Sequence, residues 1–213
     1  MDVSVKICGL NTASTVNAAV EGGAAYLGFV FYEISPRSIT PKMLPALCQK
    51  VPKTVRKVGL FVNPSFEKIA AAVDTGFLDM IQLHGSETIN MVKEVKKIFQ
   101  LPVIKAVAIS GLADVSEAKE YEICADMLLF DAKPPKGADR PGGNAQTFDW
   151  NLISEKKWVI PWMLAGGIDV KNLSSAIKQS RAALIDVSSG VENAPGVKCS
   201  NKILELLNAA ASL

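Results

Sequence analysis

Eight short apolar runs recur along this chain at intervals of roughly 20–30 residues, each followed by helical spacing or a long polar loop. No other feature restricts the fold as much. The runs are Val3–Ile7, Tyr26–Phe31, Lys57–Val62, Asp79–Leu83, Val103–Val107, Asp126–Asp131, Val159–Ala165 and Ala183–Val187. They are apolar on both faces and rich in Val, Ile, Leu and Phe, as strands of a covered parallel sheet are. Helical spacing is read at Thr12–Glu21, Pro41–Lys50, Phe66–Val73, Glu87–Phe99, Val115–Tyr121, Val170–Gln179 and Asn201–Ala211. Ser86, Asp114 and Asp169 directly precede their helical runs, and Thr40 stands as N-cap before Pro41 at a first helical position. Repeats of this length are βα units, not solenoid turns. Eight of them predict one α/β domain over residues 1–213: a closed (β/α)8 TIM barrel of parallel strands with outer helices. An open doubly wound sheet is the alternative that periodicity alone leaves standing.

Bulk chemistry narrows the function. A net charge of +2 is too mild for a nucleic-acid partner, and the small cluster Lys53-Arg56-Lys57 reads as a solvated face. The longest apolar runs are far short of a membrane span, and the N-terminus has no signal-peptide pattern. Four cysteines without a CxxC pair, beside a single histidine, argue against a Cys/His zinc site. Free thiols in such a chain fit a reducing cytoplasm. The Pro-, Gly- and Lys-rich stretch Ala132–Thr147 is expected to form a mobile loop.

In a barrel of this type the site lies at the C-terminal strand ends. Cys8 closes the first run and Asp131 the sixth. Cys8 reads either as a base, if a neighbouring Lys or Arg favours its thiolate, or as a small buried apolar residue. Asp131 reads as a general acid, as a cap, or as a partner of Lys133. Arg37, on a loop stiffened by Pro36, forks onto a carboxylate or is a surface arginine. His84 faces substrate or stands on a polar rim. Gly166-Gly167 and Ser188-Ser189-Gly190 end the last two runs. Together they point to phosphate held by backbone N–H groups, Ser188–Glu192 reading as a short helix start. Cys48, Cys124 and Cys199 read as packing or surface residues, and Trp150, Trp158 and Trp162 as core or barrel wall.

Seven segments in order carry a resemblance. They are Val5-Lys6-Ile7-Cys8-Gly9, Gly28-Phe29-Val30-Phe31 with Ser35-Pro36-Arg37, Gln82-Leu83-His84-Gly85, Leu129-Phe130-Asp131-Ala132-Lys133, Gly142-Gly143 with Thr147-Phe148-Asp149-Trp150, Leu164-Ala165-Gly166-Gly167, and Asp186–Glu192 with Pro195-Gly196. The chain resembles the phosphoribosylanthranilate isomerases of tryptophan biosynthesis over nearly its whole length. The resemblance implies a barrel that works without cofactor or metal, as monomer or homodimer, on a small phosphosugar–anthranilate substrate. It implies Cys8 as general base and Asp131 as general acid of an Amadori rearrangement. It places Arg37 on the anthranilate carboxylate, and Gly166, Gly167, Ser188, Ser189 and Gly190 on the phosphate, with His84 also in the substrate site.

Two positions depart from the family pattern. Asn144-Ala145 follow Gly142-Gly143 where Thr/Ser-Gly is usual, so the loop is expected to close differently. Cys199 stands where an Asp is usual, so the last helix is expected to be more weakly capped, with Ser200 taking over. Other phosphosugar barrels fit less well: an indole-glycerol-phosphate synthase needs a lysine and glutamate set not found at strand ends, and a histidine-pathway isomerase needs an aspartate where Cys8 stands. A phosphate-ligand binding protein without turnover is the non-enzymatic alternative, disfavoured by an intact Cys8 and Asp131.

Overall fold

The computed structural model describes residues 3–134, 137, 142–143 and 146–213. Eight parallel strands close into a barrel in sequence order: β1 Ser4–Cys8, β2 Tyr26–Val30, β3 Arg56–Phe61, β4 Met80–Leu83, β5 Val103–Ile109, β6 Met127–Ala132, β7 Trp162–Leu164 and β8 Leu184–Val187. β1 pairs with β2 up to Cys8↔Gly28 and with β8 up to Ile7↔Val187, so no edge is left open. Closure decides against the open sheet.

The helices are α1 Ala13–Glu21, α2 Leu44–Cys48, α3 Phe66–Val73, α4 Ile89–Phe99, α5 Leu112–Glu120, α6 Asn151–Ser154, α7 Leu173–Ser180 and α8 Ser200–Ala211. The strand alternation splits the apolar side chains into two layers. Val58, Met80, Ile104, Leu129 and Met163 fill the barrel, while a larger cluster including Ile7, Phe29, Val92, Ile185 and Leu206 seals sheet against helices.

Several element boundaries differ from the sequence reading, each for a local reason. Pro45 has no N–H to bond back to Pro41, so the expected helix Pro41–Lys50 becomes a 3-10 turn, Pro41–Met43, followed by α2; Thr40 makes no capping bond. Thr88, not Ser86, caps α4, because Glu87 is drawn inward by the N–H groups of Asn63 and Gly85. Asp114 is not the N-cap of α5 but its third residue, reaching back to the N–H groups of Ser110 and Gly111. Asp169 closes a turn on the N–H groups of Lys171 and Asn172, which delays α7 to Leu173. Pro161 shortens β7 from its expected start at Val159. The four-residue α6 was too short to give a helical period.

Cys199 holds the N-cap position of α8 and its side chain makes no capping bond; Ser200 is already inside the helix and does not replace it. Cys199→Asp is expected to raise stability by about 1 kcal/mol through one capping bond and a favourable end charge. Paired urea denaturation curves check this; equal or lower stability would count against it. Asn144 and Ala145 lie outside the described residues, as does part of the loop 132–147.

Candidate active site

At the C-terminal mouth of the barrel one cavity brings together Cys8, Arg37, His84 and Asp131. Gly166, Gly167, Ser188 and Ser189 line the same cavity. Eight of the nine residues singled out in the sequence therefore share one space. Gly190 does not line it. The Gly190 backbone is pressed against the carbonyl of Ile168, and a Cβ there would fall 2.0 Å from that oxygen. Its smallness lets the loop after β8 close on the loop after β7.

β1 aims Cys8 inward because its residues alternate faces, and Lys6, two positions earlier, shares that face. Lys6 Nζ donates to Asp186 Oδ1 at 2.8 Å, both side chains being buried. A Cβ on Gly28 would meet Cys8 Sγ at 2.8 Å and Lys6 Nζ at 3.1 Å, so thiol and ammonium crowd the same bare stretch of β2. Burial pushes the Cys8 thiol above its ordinary value; the Lys6 ammonium pulls it back, Asp186 adds to the push and Lys198 opposes it. Burial works against the Lys6 charge, yet Asp186 and Cys8 hold it above its ordinary value. The pair thus supplies a permanent cation for a thiolate to lean on. Lys6 and Asp186 were not singled out for chemistry, although charges inside the apolar runs Val5–Cys8 and Leu184–Val187 are the signal that finds them.

Across the mouth, β6 presents Asp131, whose Oδ1 accepts its neighbour Ala132 N–H at 2.8 Å. Its Oδ2 lies 3.2 Å from His84 Nε2, and His84 Nδ1 lies 2.8 Å from Gln82 Nε2. His84 is thus a bridge between a β4 amide and the β6 carboxylate. The turn that carries it is braced from below: Glu87 accepts Gly85 N–H at 3.0 Å and takes Lys105 Nζ at 2.8 Å. Lys133 pairs with Asp114, not with Asp131.

Arg37 is buried, not a surface residue. Its Nε and Nη2 clamp both oxygens of Glu192 at 2.7 and 2.8 Å, and Lys198 Nζ closes on the same carboxylate. Burial works against the Glu192 charge, but Arg37 and Lys198 hold its carboxyl below the ordinary value. The guanidinium fork expected for a ligand is therefore taken by Glu192. Nη1, which makes no hydrogen bond among the described residues, remains for the cavity.

Gly166 and Gly167 turn the chain with φ of 92° and 59°, a left-handed pair that side chains resist. Asn172 ties this turn down by donating to Gly167 O at 2.8 Å. Opposite it, Ser189–Val191 forms the short 3-10 turn anticipated after β8. Two tight turns whose residues line one mouth are the kind of backbone that can hold a phosphate. Among the described residues no group of three His, Cys, Asp or Glu side chains is placed to hold a metal ion, and no helix is long and apolar enough to cross a membrane.

Comparison with known proteins bears on the family. The family model described as N-(5'phosphoribosyl)anthranilate (PRA) isomerase matches residues 5–209. A relative named N-(5'-phosphoribosyl)anthranilate isomerase, from Paramagnetospirillum magneticum, is 47% identical over 99% of this chain and 98% of its own length. A crystal structure of phosphoribosyl anthranilate isomerase in complex with reduced 1-(o-carboxyphenylamino)-1-deoxyribulose 5-phosphate is 34% identical. It superposes with a TM-score of 0.83 over 99% of this chain and 100% of that one. A crystal structure of mutually generated monomers of dimeric phosphoribosylanthranilate isomerase from Thermotoga maritima is 35% identical, with a TM-score of 0.83 over 99% of this chain and 100% of that one.

Proposed function

The chain belongs to the N-(5'-phosphoribosyl)anthranilate isomerase family, and from that membership we infer its reaction: an Amadori rearrangement in tryptophan biosynthesis. N-(5'-phosphoribosyl)anthranilate becomes 1-(2-carboxyphenylamino)-1-deoxyribulose 5-phosphate, an aminoaldose turned into an aminoketose. The observation that carries the reading at the level of residues is that Cys8 and Asp131 line one cavity from different strands.

The chemistry needs an acid and a base in succession. Asp131 gives a proton to the furanose ring oxygen, and the ring opens to a protonated Schiff base. The iminium makes the C2 hydrogen acidic, and Cys8 as thiolate removes it. The resulting enolamine tautomerises to the ketone. These steps require Asp131 to carry a proton and Cys8 to be ionised once substrate is bound. Arg37 Nη1 meets the anthranilate carboxylate, while the turns at Gly166-Gly167 and Ser188-Ser189 hold the phosphate at the opposite end of the substrate. Binding both ends orients the reacting carbons between acid and base. Every group comes from one chain, so monomer and homodimer are equally served.

The purified protein is expected to abolish the fluorescence of freshly generated N-(5'-phosphoribosyl)anthranilate. A folded protein that binds this substrate without converting it would sink the reading. Glu192→Gln removes the negative charge that clamps Arg37, while keeping a side chain of the same shape. It is expected to raise KM by roughly tenfold and to change kcat by less than about threefold, because Arg37 binds without reacting. A kcat loss with unchanged KM would place Arg37 elsewhere in the mechanism.

A further inference from the structure

Gln82 is wholly buried, and its amide has only one partner among the described residues, the His84 ring. Its Nε2 faces His84 Nδ1 while Oε1 is enclosed with no partner among those residues. An unbonded buried amide end is costly, so it calls for an explanation. In the orientation seen, the amide donates to Nδ1, the ring proton sits on Nε2, and Nε2–H donates to the Asp131 carboxylate. Half a turn of the amide puts Oε1 against Nδ1 instead. That second orientation accepts a proton on Nδ1, which the first forbids because two donors cannot face each other. Either orientation leaves one amide end unpartnered, so the amide's other contacts favour neither.

We propose that Gln82 is a positioning residue for the acid step: its amide rotates as the His84–Asp131 pair takes up a proton, donating to Nδ1 in the unloaded state and accepting Nδ1–H in the loaded one. The proposal rests on the reading of Asp131 as the acid. Loading adds one proton. An N–H bond forms at Nδ1, the Nε2–H bond breaks, and an O–H bond forms at Asp131 Oδ2, so the ring ends neutral. Asp131 then holds the proton that the ring oxygen of the substrate requires.

Other charges surround the pair. Arg37 of the loop after β2, Cys8 of β1 and Asp186 of β8 share the cavity. Below the turn lie Glu87 and Lys105, the latter donating to Gly85 O at 2.7 Å. Among the described residues none of these hydrogen-bonds to the His84 ring, which leaves Gln82 to govern Nδ1.

His84 is the single histidine of the chain, so its two ring nitrogens give unambiguous 15N signals in the full-length protein. As the pH is raised, Nδ1 is expected to pass from a protonated N–H to a bare acceptor with one midpoint. Gln82→Glu places an ionised acceptor against Nδ1 and is expected to raise that midpoint by roughly one pH unit. Gln82→Met removes donor and acceptor together, so it is expected to leave the midpoint within about half a pH unit of wild type while Nδ1 loses its hydrogen-bonded 15N shift in both states. The limb of the kcat profile that shares the wild-type midpoint moves with it in Gln82→Glu. A merely structural glutamine would keep one amide orientation and bond Nδ1 in one state only. An unmoved midpoint in Gln82→Glu, a wild-type Nδ1 that is hydrogen-bonded in only one of its two states, or an Nδ1 that never changes state would overturn the proposal. The ring titration needs no substrate, so its failure is separate from failure of the acid reading, which near-normal turnover by Asp131→Asn would reveal.

Discussion

Asparagine in place of Asp131 is expected to lower kcat by about a thousandfold while leaving the barrel folded and KM within a few fold. The substitution is nearly isosteric. An asparagine oxygen can still accept Ala132 N–H, as Asp131 Oδ1 does at 2.8 Å, so the end of β6 keeps its local bond. What disappears is the capacity to give up a proton. Without it the furanose must open to a poorly stabilised alkoxide, and a thousandfold corresponds to about 4 kcal/mol of lost barrier reduction. Steady-state rates from the fluorescence decay, set beside thermal unfolding curves, separate the roles that the sequence left open. A cap would show its loss in stability with turnover preserved. An ion-pair partner for Lys133 has no support, since Lys133 turns to Asp114 at 3.1 Å. Near-normal kcat in a folded Asp131→Asn protein would remove the acid assignment.

The barrel was legible because each strand is buried on both faces, and burial writes a continuous apolar run into the sequence. Element ends were less so, because they depend on partners far along the chain. Glu87 reads as the first residue of a helix until the Asn63 and Gly85 N–H groups and Lys105 are seen to hold its carboxylate elsewhere. Strand-end position found Cys8, Arg37, His84 and Asp131, since a parallel barrel sends strand ends to one mouth. It could not show what each touches. The clamp on Arg37 comes from Glu192, 155 positions away, and the cation beside Cys8 is fixed by Asp186, 180 positions from Lys6. Gly190 reads as a ligand contact from its company in a Gly/Ser turn; its missing side chain also lets the two loops pack together. Contact with a ligand and contact with backbone leave the same residue in a sequence.

Alanine in place of Cys8 is expected to reduce kcat by about three orders of magnitude while substrate still binds. Serine at the same position should give no rescue. The competing view of Cys8 is a small apolar filler, and the structure gives that view a fair basis: the residue is buried beside Val30 and Leu60. A filler tolerates Ala or Ser at a modest cost in stability and none in chemistry. A base does not, because a serine hydroxyl stays protonated where a thiol can ionise. Burial alone would keep the thiol protonated too. The Lys6 ammonium opposes this from the same face of β1, held charged by Asp186 behind it. Burial still outweighs the ammonium, which leaves the thiol above its ordinary value, so the base role requires that ionisation accompany substrate binding. The decisive observation is isotopic. The ketone product carries no hydrogen at C2, so a substrate deuterated there reports the step: wild type releases the label, whereas Cys8→Ala leaves it on unconverted substrate. Release of the C2 label at the wild-type rate in that variant would assign the base to another group in the cavity.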